Sequence, residues 1–130
     1  MTTAGDSVSL SRIGQICMVV HDMKKAIAFY RDALGMKFLF EAPNLAFFDC
    51  GGVRLMLGLP DRPELDHPGS ILYFKVDDIQ GAHEALSSRG VRFIVKPHLV
   101  ARMPDHDLWL ADFKDLDGNI LALMSEVRHA

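Results

Sequence analysis

Cysteine is scarce in this 130-residue chain: Cys17 and Cys50 are the whole complement, and they do not form a CxxC pair. Each falls inside an apolar, strand-like stretch, so two reduced, partly buried thiols are expected rather than a disulfide framework. Positive charge is not in surplus either. Fourteen Lys and Arg against 17 Asp and Glu leave a net charge of −3, and without a basic patch the electrostatic footprint of a nucleic-acid binder is missing. No apolar run approaches the ~20 residues that cross a bilayer. Met1 to Ser11 are small and polar, with no apolar signal-peptide core. These absences lead to the expectation of a cytoplasmic protein with no membrane partner and a short tail over residues 1–11. There is no Gly-rich phosphate loop, and Ser7, Ser9 and Ser11 do not form a nucleophile elbow. What the chain does have is 49% hydrophobic and 24% charged residues, the balance of a globular protein that buries a core.

The order of elements repeats. Ile13 to Val20 is apolar and β-branched and reads as a strand. Asp22 then opens a helix in which Met23, Ala26, Ile27, Tyr30 and Leu34 recur at helical spacing, with Gly35 closing it. Met36–Phe40, Leu45–Asp49 and Val53–Leu57 read as strands, separated by Ala42-Pro43-Asn44 and Gly51-Gly52 turns. The second half follows suit. Ile71–Val76 is a strand. Asp77 or Asp78 caps a helix carrying Ile79, Ala82, His83 and Leu86 and closed by Gly90. Val91–Val95, Leu108–Phe113 and Ile120–Met124 are strands, the last two joined by Asp115-Leu116-Asp117-Gly118. Val20 matches Val76 at an offset of 56, whereas Asp49 matches Asp115 and Gly52 matches Gly118 at 66. The second module therefore carries extra residues around His98 to His106. The predicted fold class is α+β: two βαβββ modules over residues 12–58 and 70–126, one domain over 12–126, and a proline-containing linker over 59–69. Pairing of the two sheets is expected to enclose a concave space for a small ligand.

Val20-His21-Asp22, the run Ala28-Phe29-Tyr30-Arg31-Asp32-Ala33-Leu34-Gly35-Met36 and the turn Asp115-Leu116-Asp117-Gly118-Asn119 resemble the vicinal oxygen chelate superfamily, the glyoxalase, bleomycin-resistance and dioxygenase kind. The resemblance covers about residues 12 to 126 and implies the eight-stranded fold and a homodimer. It does not settle function, because that superfamily includes lyases, dioxygenases, isomerases and drug-sequestering proteins. Metal-dependent members take His, Gln or Glu ligands from the first and fourth strands of each module. Carried over, those positions are Gln15, Met56, Ile71 and Ala122. Only Gln15 offers a donor for a hard ion, because thioether sulfur is soft and the other two side chains are hydrocarbon. No metal is expected at the family position, and no other cofactor.

Strand alternation places Cys17, Arg54 and Tyr73 on the same inward face as Gln15, Met56, Ile71 and Ala122. With Trp109 these form the predicted ligand-binding set, in which Arg54 and Tyr73 suit an anionic or phenolic group. The extra segment Lys96 to Trp109 is rich in His, Asp and Arg, and it reads either as a polar surface hairpin or as a site. His98 and His106 flank it, and Asp105 or Asp107 would orient a histidine as general base. The same residues would supply a divalent metal at a non-standard site, if any. His21 reads as a solvated loop residue, and Tyr30 and His83 as core structure. The favoured reading is metal-independent binding of a small organic molecule. The alternatives are a lyase, isomerase or dioxygenase acting through His98, His106 and Asp105, and a dimeric scaffold without chemistry.

Overall fold

The structure is a computed structural model that describes Val8 and residues 10–129. Most of the expected tail, including Ser7 and Ser9, lies outside the described residues. The elements run β1 (Gln15–Val19), α1 (Met23–Ala28), a π-helical turn (Phe29–Ala33), β2 (Lys37–Ala42), β3 (Leu45–Cys50) and β4 (Val53–Gly58). A short 3₁₀ turn at Pro63–Leu65 lies between the halves. The second half is β5 (Leu72–Lys75), α2 (Ile79–Ser88), β6 (Arg92–Arg102), β7 (His106–Lys114) and β8 (Ile120–Arg128). The strands form two four-stranded sheets of order β1-β4-β3-β2 and β5-β8-β7-β6, so the α+β class and the βαβββ repeat hold.

Local chemistry explains the element ends. The Asp22 carboxylate accepts from the Lys25 amide at 3.1 Å, and Asp78, not Asp77, accepts from Gly81 at 3.0 Å. Both satisfy otherwise orphaned donors in a first helical turn. Gly51 and Gly52 both adopt positive φ, 61° and 89°, the combination a two-residue β-hairpin turn requires. The repeat reaches down to the pairing register. Cys17 lies opposite Met56 in the first sheet and Tyr73 opposite Ala122 in the second, related by the same offsets of 56 and 66 residues.

Two expectations need correction. The segment from His98 to His106 is not a loop. β6 and β7 run on through it, past Pro97, and turn only around Met103–Asp105, where the Met103 amide donates to the His106 carbonyl at 2.7 Å. β6 tolerates Pro97 because it is an edge strand and its ladder is broken by several register shifts. The second correction concerns the enclosed space. The core is built on the helix side of both sheets at once. Met18, Phe48, Leu55 and Leu57 of the first and Ala111, Phe113, Leu121 and Leu123 of the second join one buried cluster with Tyr30 and Ile79. The opposite faces carry exposed Gln15, Cys17, Arg54, Ile71 and Tyr73, and neither sheet covers the other's.

The halves are joined by polar contacts around the β7–β8 turn. Asp115, only 6% exposed, holds four donors: Tyr30 Oη at 2.8 Å, Asn119 Nδ2 at 2.8 Å, and the amides of Asp117 at 2.9 Å and Asn119 at 2.8 Å. Asn119 Nδ2 also donates to the Val19 carbonyl of β1 at 2.9 Å. Tyr30 is fully buried, and burial first, then the Asp115 carboxylate, push its phenol far above its ordinary pKa. A buried carboxylate is tolerable only when its lone pairs are filled. Nearby, His21 bridges Asp117 through Nδ1 at 2.8 Å and Asp66 of the connecting segment through Nε2 at 2.9 Å. It remains an exposed loop residue, as expected, and also tethers three segments.

Two predictions follow from this junction. Asp115→Ala strands the buried Tyr30 hydroxyl and two amides and should cost about 2–4 kcal/mol, while Tyr30→Phe, which leaves Asp115 with its other donors, should cost about 1 kcal/mol. Urea unfolding of the two variants checks the order. The His21 pKa is raised, chiefly by the hydrogen bonds to Asp66 and Asp117. Its contribution to stability is therefore full below the unfolded histidine pKa of about 6.5 and is lost as pH rises through the elevated folded value. Melting temperatures of His21→Gln and the parent chain should converge in that upper range and diverge below it.

Candidate functional site

The open face of the first sheet is built from Gln15, Cys17, Arg54, Met56 and, on β3, Phe47. Cross-strand partners point to the same side, and the observed pairs are Gln15 with Arg54, Cys17 with Met56 and Phe47 with Met56. Arg54 lies over the Phe47 ring, 5.4 Å from its centroid, and Phe40 stacks on Phe47 at 4.6 Å. Gln15 Nε2 donates to the Met56 sulfur at 3.7 Å. The partial burial of the Cys17 thiol pushes its pKa above the ordinary value. Phe40 and Phe47 are absent from the ligand set drawn from the sequence. Their alternation signal was available, but the bulge between Phe38 and Phe40 on β2 hides which face Phe40 takes.

The open face of the second sheet carries Tyr73 and Lys75 from β5, Ala122, Met124 and Glu126 from β8, and Leu110, Leu108 and His106 from β7, with the exposed Ile71 just before β5. Tyr73 and Arg54, chosen from sequence as a pair, line one small cleft of about 180 Å³ at the seam between the sheets. Trp109 does not join them. It pairs with Leu99 and Ser125 on the opposite, helix-facing side and packs against the core. Its odd position in the β7 alternation decides this. It follows His106, Leu108 and Leu110 out of phase.

His98 and His106 are not brought together. His98 lies opposite Leu110, four residues along β7 from His106, about 13 Å at strand rise. His98 Nδ1 instead meets the Lys96 carbonyl at 2.9 Å. Asp105 does meet His106, at 2.7 Å from Nδ1, and His106 Nε2 faces Glu126 at 3.4 Å. Glu126 in turn takes Lys75 Nζ at 2.8 Å. The hydrogen bond from His106 holds the Asp105 carboxyl below its usual range, and the Lys75 ammonium does the same for Glu126. Asp107 faces the other way and pairs with His129 Nε2 at 2.9 Å.

The donor set at the family's metal position does not suit a hard cation. One amide is engaged with a thioether, and the partner sheet contributes an isoleucine and an alanine. Nothing in that set is anionic or an imidazole. Among the described residues, no three His, Cys, Asp or Glu side chains gather closely enough to hold an ion elsewhere. Among the same residues, no helix is long and apolar enough to cross a membrane.

Known proteins share this architecture. The profile of the Glyoxalase/Bleomycin resistance protein/Dioxygenase superfamily matches residues 12–123. The uncharacterized protein YraH of Bacillus subtilis (strain 168) is 29% identical over 126 residues, covering 84% of this chain and 94% of YraH. A solved member of the superfamily from Sphaerobacter thermophilus DSM 20745 superposes with a TM-score of 0.72 at 28% identity, over 90% of this chain and 98% of that one. TnmS3, an antibiotic binding protein from Streptomyces sp. CB03234, superposes with a TM-score of 0.70 at 26% identity, over 92% and 98%. The profile spans all but the ends of the chain and agrees with the two-sheet structure: this protein belongs to the Glyoxalase/Bleomycin resistance protein/Dioxygenase superfamily.

Proposed function

We propose that this protein binds a small aromatic organic molecule on its open sheet faces, without a metal, inside a chamber completed by a second copy of the chain. The observation that carries the reading is the residue set at the superfamily's metal position, Gln15, Met56, Ile71 and Ala122, flanked by Phe47, Tyr73 and Arg54. Apolar and aromatic walls with few polar groups are what small-molecule pockets use. Arg54 over the Phe47 ring supplies a cation for a phenolate, and the Tyr73 hydroxyl adds a hydrogen bond. The need for a second copy follows from exposure. Tyr73 is 49% and Phe40 47% exposed in the single chain, and faces of this apolarity are partner-covered in soluble proteins. That TnmS3, of the same fold, is an antibiotic binding protein supports a small-molecule ligand.

A second reading is favoured by one arrangement. Asp105 orients His106 through Nδ1 and leaves Nε2 toward the open face beside Glu126, the layout of a general acid–base pair. Under it the bound molecule is turned over rather than held.

Thermal-shift measurements with phenols, run with and without Zn²⁺ and Mn²⁺, test the first reading. Stabilisation should be indifferent to the ions, reaching about 2.7 kcal/mol at roughly 100 times Kd, and Tyr73→Ala together with Arg54→Ala should remove most of it. A stoichiometric ion on the purified protein, lost when His98 and His106 become Ala, would sink it. Sedimentation should give a dimer, and Met56→Lys, which puts an ammonium into the apolar face, should weaken ligand binding at least tenfold. For the second reading, His106→Ala should abolish any turnover found while leaving binding within about twofold.

A further inference from the structure

On the helix side of the seam, away from the open faces, lies a cavity of about 480 Å³, within the range of roughly 300–1,000 Å³ typical of ligand pockets. The first half contributes Leu34, Met36 and Cys50, and the second half contributes Phe74, Ala82 and Leu86. These walls are almost wholly hydrocarbon or aromatic. Arg89, at the end of α2, is the polar group that matters. Its Nη1 donates to the Ala33 carbonyl at 3.2 Å, and among the described residues no carboxylate lies within ion-pair distance of it. Lys37 adds a second cation to the lining, against Asp49, whose Oδ1 already accepts from the Gly52 amide at 3.2 Å. An apolar chamber bordered by a guanidinium with spare donors is complementary to an apolar body with a carboxylate head. Cys50 and Phe74 also line the Arg54–Tyr73 cleft, so the two spaces adjoin at the seam but carry different polar groups, Arg89 in one and Arg54 and Tyr73 in the other.

We infer that this cavity between the two halves is a second ligand site, one that takes a small aromatic carboxylate with its ring among Met36, Phe74 and Leu86 and its carboxylate on Arg89. The site stands apart from the open-face reading. A molecule seated here touches both halves and ties them together.

The test uses 2-naphthoate and its neutral counterpart 2-naphthamide, with affinities measured by titration calorimetry and melting temperatures by scanning fluorimetry. Naphthoate should bind and raise the melting temperature, and naphthamide should bind about tenfold more weakly. Arg89→Gln should erase that difference, whereas Arg54→Gln should leave it intact. Ala82→Phe should fill the chamber and abolish both. Should that variant fail to fold, the paired arginine variants still decide the matter. Loss of the charge preference in Arg54→Gln alone would place the probe on the open face and overturn the inference. So would binding that survives Ala82→Phe in a folded protein, or no binding of naphthoate at all.

Discussion

A single buried carboxylate sets the relation between the two halves of this chain. Asp115 sits in the β7–β8 turn of the second module, yet one of its four donors is the hydroxyl of Tyr30, from the helical segment of the first. An ionised carboxyl out of water is costly unless its acceptor sites are filled. The turn, the tyrosine and the Asn119 amide that reaches back to Val19 are therefore bound into one geometry. His21 extends it outward to the connecting segment through Asp66 and Asp117. Removing the Asp115 carboxylate would leave the Tyr30 hydroxyl and the turn amides without their acceptor, so this group helps hold the helix sides of the two sheets on a shared core.

That constraint has a consequence for the ligand. With the helix sides packed on the core, Gln15, Cys17, Arg54 and Tyr73 on the opposite faces stay exposed in the single chain. The Arg54–Phe47 contact and the stacked Phe40 sit on the open face of the first sheet. The charged group formed by Asp105, His106, Glu126 and Lys75 lies at the end of the open face of the second sheet, near the β6–β7 turn.

Much of this was readable from residues alone. The β-branched runs, the Asp caps and the paired offsets of 56 and 66 located the repeats, and strand alternation put Gln15, Cys17, Arg54 and Met56 on one face, because side-chain direction in a strand is a local property. Local reasoning failed where long-range partners decide. His98 and His106 look like flanks of a loop, but ladder pairing stretches the hairpin and keeps them apart. Trp109 attracts notice as the lone tryptophan, but its phase along β7 turns it to the core. His21 and Tyr30 seemed unremarkable because their partners, Asp117 and Asp115, lie 96 and 85 residues away.

The sequence by itself determined the elements, the repeat and which residue types alternate on each strand. Each of those depends on residue type and on spacing within a strand or helix, which neighbours along the chain dictate. Only the tertiary structure decided which faces are buried, that the helix sides of both sheets share one core rather than the open faces closing over each other, and where Arg54, Tyr73, Arg89 and His106 end up relative to one another. Those outcomes depend on which apolar surfaces meet and which buried polar groups find partners. Both are settled by contacts between residues far apart in the chain.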